Sequence, residues 1–217
     1  MSAPTKKTRK SSWKQDPESV KSNILAVATE VFANNGLSGA RIDEIVRRTN
    51  TSKRMIYYYF GDKNRLYQSV LQNAYAQVRA GEAQLDLDSL EPVTALTRLV
   101  EFTFDYHRDN PTYVRLVQIE NIHQAANLAR SGTISDLNQP AVSKLEHLYR
   151  KGVAARVFVP GLNPVELHWL ITSTCFFNVS NRATFEHLYG KNLFSTRGQN
   201  KLKALAVASV LGVVLCK

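Results

Sequence analysis

Residues 41–63 read RIDEIVRRTNTSKRMIYYYFGDK, and their periodicity spells two short helices about a tight turn. In the first, Ile42, Ile45 and Val46 share one face while Asp43, Glu44, Arg47 and Arg48 point away. Thr49-Asn50-Thr51 makes the turn, and Asn is among the few residues that enter the left-handed region at little cost. Ser52 supplies an oxygen able to cap the second helix. Ile56 and Phe60 then fall on its inner side, while Lys53 with Tyr57 and Arg54 with Tyr58 form i,i+4 pairs on its outer side. A face of cations and phenols suits a phosphate backbone and base edges. The same residues also fit a solvated face with packed rings, so the pattern alone leaves both readings open.

The charge distribution favours the first reading. The chain has 217 residues and a net charge of +10. Residues 1–80 carry 14 Lys and Arg against 6 Asp and Glu, whereas residues 81–217 carry 14 against 12. The positive field therefore surrounds the two short helices, as a polyanionic partner requires. A membrane surface would also attract it, but no basic amphipathic helix with a broad apolar face accompanies the charge. The longest apolar run, Ala204 to Leu215, is too short to span a bilayer, and the basic N-terminus lacks the apolar core of a signal peptide. Cys175 and Cys216 are far apart and without metal-ligand spacing, which suits a reducing compartment. Together these features predict a cytoplasmic protein without metal, cofactor or membrane partner.

With Ser52-Lys53, the aromatic run Tyr57-Tyr58-Tyr59-Phe60 and Lys63 three residues on, the chain resembles the TetR family of transcriptional regulators over about residues 18–78. Two positions depart from the family pattern. Arg41 stands where a capping Thr or Ser is usual, and it can reach a phosphate instead. Asn50 stands where Gly is usual and is a tolerable substitute. The resemblance implies a repressor, binding a palindromic operator as a dimer and released by a small-molecule effector. It carries DNA contact over to Thr51, Ser52, Lys53, Arg54, Met55, Tyr57, Tyr58, Tyr59 and Lys63, to which Arg41 is added. Lys53 and Lys63 would hold phosphates, and Arg54 would read a guanine edge, since its fork matches O6 and N7.

The rest of the chain reads as helices, giving an all-α fold: an N-terminal three-helix, helix-turn-helix domain joined to a larger helical ligand-binding and dimerisation domain. Residues 1–15 form a basic arm, read as disordered, that either adds phosphate or minor-groove contacts or merely solubilises the chain. The DNA-binding domain spans 16–80. Its first helix starts at Asp16-Pro17, buries Val20, Ile24, Val27, Ala28, Val31 and Phe32, and closes at Gly36. Asp62 caps a fourth helix reaching to about Glu82, roughly 30 Å long at 1.5 Å per residue, which could join the two domains rigidly. From Gly81 the composition turns acidic, and the second domain covers 81–217. Helices are expected over 90–109, from Pro111, over 136–151 and from Asn163-Pro164; a last one, capped by Ser195, ends near Cys216. Residues 153–159 read as loop.

The segments PTYVRLVQIENIH (111–123) and CFFNVSNRATFEHLYG (175–190) resemble one subgroup of the family. The last two long helices are apolar on more than one face, which means either full burial or an interface. The family's four-helix-bundle dimer implies the interface, with Val207, Val210, Leu211 and Val214 as candidates. Phe102, Tyr106, Tyr113, Tyr149, Trp169 and Phe176 offer enough aromatic surface to enclose an apolar or aromatic effector, or else simply fill the core. The rival class is an enzyme with an accessory DNA-binding domain. Its only raw material is Cys175 with His107, His123, His147, His168 and His187, set in no HExxH or GxSxG context.

Overall fold

A computed structural model describes residues 16–129 and 132–216, so the expected basic arm lies outside the described residues. Among them ten α-helices make up the fold. They are α1 (Pro17–Gly39), α2 (Ile42–Thr49), α3 (Lys53–Phe60), α4 (Lys63–Ala83), α5 (Pro92–Asp109), α6 (Pro111–Ile122), α7 (Gly132–Ala154), α8 (Pro164–Ser180), α9 (Arg182–Tyr189) and α10 (Thr196–Val214). A 3-10 turn, Lys191–Phe194, separates the last two.

Local chemistry sets the N-terminal boundaries. The side chain of Asp16 accepts a hydrogen bond from the Glu18 amide, that of Ser52 from Met55 and that of Asp62 from Arg65. Each satisfies an amide that a helix start leaves without an internal partner. Asn50 adopts φ 50° and ψ 36°, the left-handed turn expected of it. Gly36, at φ 66°, breaks α1 near its end, so the last residues form a separate turn leading into α2.

Two apolar cores stack along the molecule. The first joins Ile24, Phe32, Ile45, Ile56, Phe60, Leu66 and Tyr67 from α1–α4, and Leu116 of α6 and Ile134 of α7 complete it. The division near residue 80 is therefore not a break in packing. The second core gathers Leu96, Val100 and Phe104 of α5 with Leu145 and Leu148 of α7, Leu167 and Ile171 of α8, and Val210 and Val214 of α10.

Three elements differ from expectation. Burial of Ile134 draws α7 back to Gly132, which leaves Pro140 inside the helix rather than near its start. Residues 153–159 hold more than a loop: Phe158 is buried and forms an isolated antiparallel bridge with Leu215. A Cβ on Gly152 would lie 2.0 Å from the Phe158 ring, so only glycine lets that ring in. The helix α9 has no buried residue and leaves Leu188 and Tyr189 exposed, so its sequence carries no burial stripe to announce it.

Candidate nucleic-acid interface and interior polar cluster

The outer face of α3 is formed by residues that the inner face leaves free. With Ile56 and Phe60 buried, Lys53, Arg54, Tyr57 and Tyr58 are turned out, Tyr58 being 78% exposed. Arg41, Ser52 and Met55 are exposed beside them, and Thr51 is half-buried. Lys53 makes one exposed ion pair with Asp43 at 3.3 Å, which solvent and salt weaken. Two of the expected contacts also make bonds or packing within the fold. Tyr59 is half-buried against the first core, edge-on to Tyr58 and Phe60. Lys63 donates to the Ser38 carbonyl at 3.3 Å, where it ties α4 to the end of α1.

Four of the six aromatic residues expected around an effector come together, and two do not. Phe102, Tyr106, Tyr113 and Phe176 line one interior region between α4, α5, α6 and α8. Phe102 and Tyr106 lie 5.7 Å apart between ring centres, and Tyr113 stands 6.0 Å from Tyr106 and stacks on His107 at 5.8 Å. His107 also meets Phe176 edge-on. Tyr149 instead stacks on Phe158, with its hydroxyl donating to the Val159 carbonyl and accepting from the Leu162 amide. Trp169 is 70% exposed on the far side of α8.

What sequence reasoning missed is the polar half of this region. Arg79 and Glu82, one turn apart on α4, form an ion pair whose side chains are only 15% and 12% exposed. The Arg79 charge acts on Tyr75, Tyr106, His107, Tyr113 and His168, so these groups face one another across the helices. Burial raises the phenols of Tyr75, Tyr106 and Tyr113 and also raises the Glu82 carboxyl, against the pull of Arg79 and Lys144. Burial, reinforced by Arg79, lowers His107 to about 4 and lowers His168 as well, so the His107 imidazole is neutral near pH 7. The spacing of Tyr75, Arg79 and Glu82 on a helix whose neighbouring stripe is apolar was the available signal. Phe102 packs over Gly81, where an added Cβ would sit 2.8 Å from the ring, and this brings α5 close to α4 beside the cluster. Cys175 is buried, and burial pushes its thiol up to about 12, the reverse of the lowered value that activates a cysteine.

The candidate interface residues divide by face. Val210 and Val214 are fully buried in the second core, because α10 turns them towards α5 and α8 of its own chain. Val207 and Leu211 are half-buried against the same core. The outward stripe of α10 is Leu205 and Val213, and that of α8 is Val165, Trp169 and Phe177. All but Val165 border two largely apolar grooves: Leu162, Glu166, Leu167, Trp169, Leu170 and Val213 line one of about 340 Å³, and Phe177 and Leu205 lie in the other.

Comparison with known proteins agrees with this architecture. Residues 24–70 match the family described as bacterial regulatory proteins, tetR family, and residues 92–210 match the tetracyclin repressor-like C-terminal domain. The HTH-type transcriptional repressor NicS of Pseudomonas putida is 35% identical over 179 residues, covering 82% of this chain and 84% of that protein. The HTH-type transcriptional repressor SCO4008 of Streptomyces coelicolor is 32% identical over 142 residues, 65% of this chain and 66% of its own. Among solved structures, a tetR-family regulatory protein from Rhodococcus RHA1 superposes with a TM-score of 0.72 at 21% identity, covering 91% of this chain and 98% of that one. The ketosteroid transcriptional regulator KstR2 of Mycobacterium tuberculosis gives 0.66 at 19% identity, covering 91% and 95%. The helix-turn-helix, the helical second domain and relatives that are repressors rather than enzymes lead to one assignment: this chain belongs to the TetR family of bacterial transcriptional regulators.

Proposed function

We propose that this regulator is a repressor that binds a palindromic operator as a homodimer and is released when a small molecule enters the interior cluster. The observation that carries the reading is the outer face of α3, where Lys53, Arg54, Tyr57 and Tyr58 stand exposed on a helix held from behind by Ile56 and Phe60. A rigid helix with free Arg and Tyr side chains fits the major groove, with Arg for a guanine edge and Lys for phosphate. Arg41, Thr51, Ser52 and Met55 extend the surface to the adjoining backbone. Tyr59 supports it by packing, and Lys63, whose bond to Ser38 is exposed, adds a phosphate contact. The dimer forms through α8 and α10, using Trp169, Phe177, Leu205 and Val213 rather than Val210 and Val214. The protein works in the cytoplasm, where its operator lies.

Selection from random-sequence DNA with the purified protein, followed by gel-shift titration of the recovered sites, tests the reading. The expected result is an inverted repeat whose half-sites are one helical turn, about 34–36 Å, or a multiple apart. Recovery of no enriched sequence would sink it.

A further inference from the structure

Two polar atoms in the interior cluster have no hydrogen-bond partner among the described residues, namely Nε of Arg79 and Nδ1 of His107, and both are shut from solvent. Such groups are rare in folded proteins because each leaves a desolvation cost without return, so each calls for an explanation. Here the two complement each other. Glu82 takes Nη1 of Arg79, which leaves the Nε edge of the guanidinium open. That edge is a donor, and it is the side by which Arg grips a carboxylate with two parallel bonds. His107 is 97% buried, being 3% exposed, and its imidazole is neutral near pH 7. With the ring proton assigned to Nε2, Nδ1 is a bare acceptor. The cluster therefore offers one donor edge and one acceptor, with aromatic rings around them.

The electrostatics set the sign of the guest. Glu82 is answered by Arg79, and Lys144, exposed on α7, pulls its carboxyl in the same direction. A carboxylate on the Arg79 edge completes the hydrogen bonding of the guanidinium, which a cationic guest cannot do. On the outer side, Tyr106 and Tyr113 border a cleft of about 340 Å³ between α1, α4 and the α5–α6 junction.

Taking the interior cluster as the effector site of the proposed repressor, we infer that its ligand is a small aromatic carboxylate bearing a second, hydrogen-donating ring substituent. The carboxylate sits on the Nε edge of Arg79, the ring lies among Phe102, Tyr106, Tyr113 and Phe176, and the donor points at Nδ1 of His107. An apolar effector leaves both atoms unanswered.

The test is calorimetry on the full chain with 2-, 3- and 4-hydroxybenzoate, each against its hydroxybenzamide and against benzoate. At least one hydroxybenzoate binds, its amide is at least about tenfold weaker because a charge-assisted bond is lost, and benzoate is also weaker. In the double variant Arg79→Gln with Glu82→Gln, which removes both charges together, the preference for acid over amide disappears. In His107→Phe the preference for hydroxybenzoate over benzoate disappears while that for acid over amide remains. Circular dichroism shows whether the variants fold, and the acid–amide contrast on the unmodified protein decides the matter even where they do not. No binding by any isomer at about 1 mM, or equal binding of acid and amide, overturns the inference. The repressor reading stands apart from this result. Binding of an acid without loss of operator affinity fails the reading and spares the inference; release by an uncharged aromatic compound does the reverse.

Discussion

Arg54 enters no ion pair among the described residues, so its guanidinium sheds only water when it meets a base. Arg54→Ala is expected to cost about 1–3 kcal/mol of operator binding and to relax preference at one base pair of each half-site. Lys53→Ala should instead weaken binding to all sequences alike and lower the salt dependence by about one counterion, after the exposed pair with Asp43 is given up. Gel-shift titrations over a salt series separate the two outcomes. His107 makes a different prediction, about stability. Its pKa is depressed from 6.5 to about 4, so below pH 6.5 the unfolded chain binds a proton that the folded chain refuses. Stability is full above pH 6.5 and falls as the pH drops towards 4, by up to about 3 kcal/mol from this residue. His168 is shifted in the same direction and adds to the loss. Denaturant unfolding across that range should show a shallower acid decline in His107→Phe than in the unmodified chain.

At the scale of elements, α10 separates two kinds of apolar residue. Val210→Glu places a charge in the second core with no partner, and the expected result is loss of folding, not a folded monomer. Leu205→Glu, on a side chain 60% exposed, should leave each chain folded and break the proposed dimer. Light scattering with circular dichroism tells them apart, and a Leu205→Glu protein that stays dimeric would refute the face chosen here. The same helix shows where a sequence stops being informative. The caps at Ser52, Asp62 and Asn163 and the left-handed Asn50 were legible because they depend on residues no more than three positions away. The exposed face of α3 was legible for the same reason. In α10 apolar residues surround the axis, and periodicity alone cannot say which side meets its own chain. Trp169 and Tyr149 were misplaced in this way, since a ring has no sequence mark for the helix it will face. Arg79 and Glu82 were missed because their burial depends on α5, α6 and α8, all distant in the chain.

For the whole molecule, the proposed coupling has a measurable reciprocity. If a ligand in the cluster weakens operator binding by some factor, operator must weaken ligand binding by the same factor, typically 5–150-fold. Ligand calorimetry with and without operator should give different affinities, and equal ones would exclude that ligand as the inducer. One bonded group lies on the route between the two ends of α4. Glu120, buried on α6, accepts from the Tyr67 hydroxyl of α4 at 2.9 Å, from the Asn127 amide and side chain, and from the Leu128 amide. A carboxylate held by four donors works as a detent. Small rocking of α4 leaves it seated, and a larger swing must pull Tyr67 away and strand a buried charge with one donor fewer. Release would then come as a threshold, not as a slope: compounds that fit the cluster but push α4 too little bind silently. Glu120→Gln, which softens the catch, should convert such silent binders into inducers in a gel-shift assay. It should also raise the fraction of unliganded protein that lets go.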